Sequence, residues 1–242
     1  MQLTRRAALA AGALTLAGCG TDTAHTAPSG SPIAASPSPS ARPSPSEVVH
    51  GSRDRAQVAL TFHGQGDDQL VRATLAVLAQ TNTTATVLAV GSWLEAGPAL
   101  ARAILDGGHE LGNHTYAHLD IGSLPAQQQY AEIRRCADVL RKLTGSAGVW
   151  FRPSQTPRST PQIQQQARRA GYPACLAYDV DSLDYTDPGP AAIVETTLSG
   201  VQNGSIVSLH LGHAGTVEAL PELIAGLRKR GLSPVTASDL LR

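Results

Sequence analysis

Two histidines four residues apart, His114 and His118, are the side chains of this sequence best placed to do chemistry. They follow His109-Glu110-Leu111-Gly112-Asn113, which reads as a strand running into a turn. If the chain turns helically after His114, both imidazoles face one point. Two neutral nitrogens at that spacing suit one divalent metal that still needs a carboxylate. Two surface histidines would show the same spacing, so the weight of the argument falls on what else gathers nearby.

The elements that must position them are legible as a repeat. Residues 56–62, 84–90, 109–112, 149–152, 174–178, 205–209 and 233–236 read as strands. Helical patterns lie between them: Val217, Leu220, Leu223, Ile224 and Leu227 mark one apolar face, and Ile163, Ala167 and Ala170 another. Gly108, Gly171 and Gly231 stand where helices need a left-handed end. Seven strands alternating with helices imply an α/β fold with a parallel sheet buried on both faces, either open and doubly wound or a closed or nearly closed barrel. The unusual polar residues then fall at strand ends: His63, Asn113 with His114, Arg152, then Asp179, Asp181 and Asp184, and His210. Strand C-termini of such folds share one rim, and active sites sit there. A dinucleotide site is not indicated. Gly64-Gln65-Gly66 lacks a third glycine and is followed by two acids, which repel a phosphate.

The N-terminal part reads as an address and a tether. Arg5-Arg6, an apolar run from Ala7 to Ala17, and Leu16-Ala17-Gly18-Cys19 look like a lipoprotein signal over residues 1–19, cleaved before a lipidated Cys19. The arginine pair resembles a Tat signal, but Ala7-Ala8 follow where an aromatic is usual, so Sec export stays open. Residues 20–49, rich in Ser, Pro, Ala and Thr, read as a disordered tether. The expected location is the outer face of a bacterial cell membrane. Residues 50–242 are long enough for one domain with its own core. Net charge is +0 and only 16% of residues are charged, so no basic stripe points to nucleic acid. Besides Cys19 the chain has Cys136 and Cys175. They can pair outside the cytoplasm, but Cys136 lies on the apolar stripe Tyr130, Ile133, Cys136, Leu140, Leu143, which favours a buried free thiol.

From roughly Arg55 to Leu241 the chain resembles the polysaccharide deacetylases of NodB-homology type, carbohydrate esterase family 4. That resemblance implies a distorted (β/α) barrel of about seven parallel strands. It also implies one divalent metal ion, most often Zn2+, and removal of N-acetyl groups from chitin-like glycans or peptidoglycan. His114-Thr115-Tyr116-Ala117-His118 matches the family's H-[ST]-x-x-H and carries over both histidines as metal ligands. Phe151-Arg152-Pro153 matches its R-P motif, in which the arginine orients an active-site carboxylate. Asp181-Ser182-Leu183-Asp184-Tyr185 resembles D-x-x-D-W, with Asp184 expected to hold the catalytic histidine; a helix cap or Asx-turn would use Asp184 equally well. Ile206-Val207-Ser208-Leu209-His210 resembles the closing L-x-H motif and puts His210 in the general-acid role, with Ser208 where an apolar residue is usual.

The first motif departs from the family. Where T-F-D-D-G is usual, this chain has Thr61-Phe62-His63-Gly64-Gln65-Gly66-Asp67-Asp68. His63 replaces the base and Gly64 the acidic ligand. Asp67, three residues late, can return to the metal if Gly64 and Gly66 let the loop turn back, with Asp68 capping the following helix. The expected triad is then Asp67, His114 and His118, with His63 as base or as a further ligand. An Asp–His pair suits the acid, since a carboxylate favours the protonated imidazole. His213, just past the rim, reads as surface.

Three functions remain open. One is a metal-dependent N-deacetylase acting on an acetylated glycan or peptidoglycan. Another is a glycan-binding lipoprotein that has lost its base. The last is a hydrolase of a small amide or ester. A monomer is expected. Trp93, Trp150, Tyr116 and Tyr185 are the candidate sugar-contacting rings.

Overall fold

The computed structural model describes residues 46–242. The signal and most of the tether, with Cys19, lie outside the described residues. The short strand β1 (Glu47–Val48) falls within the stretch read as tether. It pairs with β5 (Cys175–Leu176), and Glu47 accepts hydrogen bonds from Ser159, so the folded domain already includes these residues.

β2 (Gln57–Gly64) is the centre of the sheet, and residues Val58 to Phe62 are buried, as a parallel strand covered on both faces requires. β3 (Thr86–Ala89) flanks its C-terminal half on one edge and β8 (Ser233–Val235) pairs with its start. β7 (Ile206–His210) pairs along the other edge. β4 (Glu110–Asn113) and β6 (Val180–Asp181) complete the order β4-β3-β2-β7-β6, all parallel. Single parallel bridges, Asn113 to Phe151 and Phe151 to Cys175, carry the ladder on to β5. The fold is the expected α/β one. The strand read at 149–152 contracts to that one bridging residue, and β6 was not read at all.

Helices α1 (Asp68–Gln80), α2 (Gly91–Ala96), α3 (Pro98–Asp106) and α4 (Ala126–Thr144) occupy the first half of the chain. Helices α5 (Pro161–Ala170), α6 (Pro190–Gly200), α7 (Ala214–Lys229) and α8 (Ala237–Leu240) follow. α5 shows why the termini were legible: Thr160 caps Ile163 N–H, Pro161 opens the first turn, and Gly171 closes it at φ 105°. Gly108 and Gly231 are likewise left-handed, at φ 75° and 74°. α1 is capped by Asp67 rather than Asp68, whose carboxylate instead meets Arg72 one turn on at 2.7 Å.

The period-2 alternation of β2 and β7 sorts their residues. Val58, Leu60, Phe62, Val207 and Leu209 face the helices in the main core. The inner face is layered. Ala59 and Ile206 pair at the bottom, packed with Leu88 and with Ala237 and Leu240 of α8. Thr61 pairs with Ser208 in the middle, and His63 with His210 at the top. Register thus carries the inner face from apolar to hydroxyl to imidazole, ending at the rim. Cys136 and Cys175 are both buried free thiols. Among the described residues no helix is long and apolar enough to cross a membrane.

Candidate active site

Four imidazoles meet at the rim. The His63 ring centre is 4.4 Å from that of His210 and 4.5 Å from that of His114, and His114 and His118 are 4.9 Å apart. With His213 and Trp93 they line a cavity of about 450 Å³. A second cavity of about 430 Å³ shares His63, His118 and His210 and is walled by Tyr178, Asp181 and Tyr185. The histidine cluster therefore has a hollow on either side of it.

The turn from His114 to His118 is not helical. Thr115 sits at φ 68° and His118 at φ 54°. A β-branched residue there is an outlier that persists only when its surroundings hold it. They do. Thr115 N–H donates to Asn113 Oδ1 at 2.9 Å, and its hydroxyl bonds Ser154 Oγ at 3.0 Å. Glu132 of α4 accepts from Tyr116 N–H at 3.1 Å and Ala117 N–H at 2.8 Å. Gln155 donates to His118 O at 2.7 Å. His114 Nδ1–H donates to Arg152 O at 3.0 Å, which leaves Nε2 as the bare lone pair. That Nε2 is buried and has no partner. Burial, then the neighbouring histidines and Arg152, hold the His63 and His114 rings well below the usual histidine range; burial and His210 lower His118.

Asp184 is fully buried beneath His210. Its Oδ1 accepts from His210 Nδ1–H at 2.7 Å, and its Oδ2 accepts from His210 N–H at 2.8 Å and Thr216 Oγ–H at 2.6 Å. Burial alone would raise this carboxyl; the His210 and Thr216 hydrogen bonds outweigh it and hold it below the usual range. His210 Nε2 is thereby turned away from the carboxylate.

Two expected roles find a different geometry. Asp67 does not return to the cluster: its carboxylate accepts from Gln69 N–H at 2.8 Å as the cap of α1, and it lines neither cavity. The loop before it is pinned, since Trp93 Nε1–H donates to Gly66 O at 2.9 Å and a Cβ on Gly66 would lie 2.7 Å from Gly212 Cα. Neither Gly64 nor Gly66 is left-handed; both serve close approach. Arg152 orients no carboxylate. It is 1% exposed, donates to Leu176 O, Ala177 O and Thr61 Oγ1, and its Nη1 has no partner. The residue facing it from β2 is now His63, whose Nε2 shares a 3.2 Å hydrogen bond with Ser208 Oγ.

Other contributors were missed. His213, read as surface, lines the first cavity and donates through Nδ1–H to Asp187 at 2.8 Å; its place three residues after His210 was the available signal. Glu132 reaches the site from α4 and Thr216 from the first turn of α7, and neither left one. Asp179 is structural, pairing with Arg53 at 2.8 Å. Asp181 bonds Leu183 N–H within its own loop and also walls the second cavity.

Residues 50–175 match the family model described as polysaccharide deacetylase. The chain belongs to the polysaccharide deacetylase family. Among relatives of this deacetylase family, a peptidoglycan-N-acetylglucosamine deacetylase of Bacillus cereus is 30% identical over 76% of this chain and 88% of its own. An uncharacterized protein of Bacillus subtilis is 24% identical over 81% of this chain, a match that spans 61% of that relative's length. In structure, a pseudoenzyme of carbohydrate esterase family 4 from Bacillus anthracis superposes with a TM-score of 0.78 at 23% identity, covering 82% of this chain and 70% of that one. It shares the fold.

Deacetylases of this family generally depend on a divalent metal, and the residues present fit one in part. The buried, unpartnered Nε2 of His114 is what a cation would use, and His118 stands beside it. The acidic ligand is missing. Among the described residues no three His, Cys, Asp or Glu side chains are grouped so as to hold an ion as they stand.

Proposed function

We propose that this family member is a hydrolase that removes N-acetyl groups from an acetylated glycan of the cell-wall or chitin type, outside the cell. The observation that carries this reading is the Asp184–His210 pair opening on the cavity that His114 lines. Amide hydrolysis must protonate a leaving amine. Asp184 holds the His210 Nδ1–H, so Nε2 is the atom that delivers the proton. The buried carboxylate also stabilises the imidazolium from which that proton leaves. When bound, a divalent ion, Zn2+ for imidazole donors, supplies a polarised carbonyl and a water acidic near neutral pH. His114 and His118 would hold it. Trp93 on one side and Tyr178 and Tyr185 on the other give the sugar apolar walls, and the two hollows leave room for residues flanking the acetylated one.

Acetate release from acetylated chito-oligomers and from peptidoglycan tests this, with the whole chain supplied with zinc. The expected result is release that falls about 100-fold or more in His210→Asn. A first motif with no acid at positions 63 and 64 favours a second reading, a glycan-binding protein without turnover; saturable binding with no acetate from the wild type would establish it in place of the first. For location we propose a lipid anchor at Cys19 on the outer face of the membrane. Cys19→Ser is expected to move the protein to the soluble exported fraction, and a variant that stays membrane-bound counts against the anchor.

A further inference from the structure

The Asp184–His210 pair has a counterpart beside it. Asp184 opens the short 3-10 turn Asp184–Thr186 and Asp187 closes it, three residues on; His210 and His213 are also three residues apart. That spacing stacks side chains along a 3-10 turn. Asp184 thus accepts from His210 Nδ1–H at 2.7 Å, and Asp187 from His213 Nδ1–H at 2.8 Å. The first pair is buried at its acid and the second is open at its own. The backbone fixes the second pair as well as the first. Leu183 and Asp187 are left-handed, at φ 57° and 52°, and Asp187 N–H donates to Asp184 O at 3.0 Å. His213 caps α7, its carbonyl accepting from Thr216 N–H at 3.2 Å. Proton delivery to the leaving amine uses only the first pair.

Asp187 occupies Nδ1, which leaves His213 Nε2 for the cavity that the ring lines. The His213 ring centre is 5.9 Å from that of His210, so it stands beside the proton donor and outside its pair. Trp93 lines the same cavity, with its Nε1–H held by Gly66 O at 2.9 Å. Close packing of two loops brings indole and imidazole to one hollow. A Cβ on Gly66 would lie 2.7 Å from Gly212 Cα, and one on Gly212 would lie 3.1 Å from Gln65 O. The Gly64-Gln65-Gly66 run that carries the acid away from the cluster therefore forms the floor between Trp93 and His213. An apolar plane beside one directed nitrogen suits a pyranose, which offers a C–H face and hydroxyl donors. We infer that Trp93 and His213 form a sugar subsite next to the reacting residue: the indole covers a pyranose face, and His213 Nε2 accepts from one of its hydroxyls. The inference rests on the deacetylase reading and makes the ligand an oligomer, since the sugar held here is the neighbour of the one whose amide is cut.

Titration of the whole chain with N-acetylglucosamine and with tetra-N-acetylchitotetraose tests this, read by tryptophan fluorescence, because Trp93 is one of only two tryptophans. His213→Ala is expected to weaken tetramer binding by about 10-fold, the scale of one lost hydrogen bond, and to leave the monomer unchanged. His213→Gln should stay within about 3-fold of the wild type, because its amide can donate to Asp187 and present an oxygen to the sugar. The urea midpoint should move in neither variant, since a solvent-facing pair of this kind adds little to folding. Equal tetramer affinity in His213→Ala and the wild type would overturn the inference and leave the deacetylase reading standing. So would a loss that glutamine does not restore, or one that the monomer shares. A wild type that binds neither sugar would overturn both.

Discussion

Asp184→Asn separates the two things that Asp184 does. The carboxylate is 0% exposed and accepts from three donors: His210 Nδ1–H, His210 N–H and Thr216 Oγ–H. An asparagine has one acceptor and one donor end. Its NH2 cannot face the backbone N–H of His210, which is a fixed donor, so it must face Nδ1. The imidazole can accept there only by moving its proton to Nε2. The substitution is therefore accommodated by a change of tautomer. Charge-assisted hydrogen bonds become neutral ones, a difference of about 1 kcal/mol each, while the cost of burying a charge is relieved. The net loss should be about 1–3 kcal/mol, or roughly 3–10 °C in Tm for a domain of this size. Asp184→Ala offers no acceptor and leaves a cavity, and should cost about 3–5 kcal/mol. Urea unfolding measures both. Imidazole 15N shifts measure the tautomer directly: neutral His210 should carry its proton on Nδ1 in the wild type and on Nε2 in Asp184→Asn. An unchanged tautomer, or equal destabilisation by Asn and Ala, would refute the reasoning.

Gly64→Ala should destabilise by about 1–3 kcal/mol, because its Cβ meets β3 backbone that cannot yield; a neutral result in urea unfolding would show that the strands part more easily than the packing suggests. In protein stripped of metal, burial holds the His63, His114 and His118 rings all below the ordinary histidine range. The unfolded chain then binds protons that the folded one does not, so stability should be full above about pH 6.5 and fall as the pH drops below it. Stability that stays flat between pH 7 and 5 would contradict this. Glu132→Ala should speed amide exchange at Tyr116 and Ala117 while leaving α4 protected, and Glu132→Gln should restore protection.

The rim residues could be read in advance because period and register are local. Once β2 and β7 alternate, His63 and His210 must end on one face, and glycine helix ends such as Gly171 need no knowledge of the fold. Asp67 shows the opposite case. As a candidate ligand it is a matter of long-range geometry, but its own helix offers Gln69 N–H two residues away, and the local acceptor role wins. The His114–His118 turn departs from the helical form its spacing invites for a related reason. Two left-handed residues hold it in place, and the groups that make them tolerable, Ser154, Gln155 and Glu132, come from other elements. β1 lay hidden in a Ser/Pro-rich stretch because two residues carry no periodicity.

The substitutions at positions 63 and 64 act together through Arg152. Its guanidinium is buried against carbonyl and hydroxyl oxygens and the Tyr178 ring, and burial, opposed in part by Tyr178 and Asp181, lowers its pKa to about 10, still charged at neutral pH. A carboxylate at position 63 would face that charge; an imidazole cannot compensate it. The cluster therefore has a cationic floor and walls of neutral rings. A divalent ion entering beside His114 and His118 meets that positive charge, which Asp181 on the wall of the second cavity offsets only in part, at low effective dielectric where the repulsion is poorly screened. Cation affinity in this chain should accordingly fall below that of a two-histidine, one-aspartate site on the same fold. His63 is the reason, because it stands where the compensating acid would be and its Nε2 is turned to the Ser208 hydroxyl.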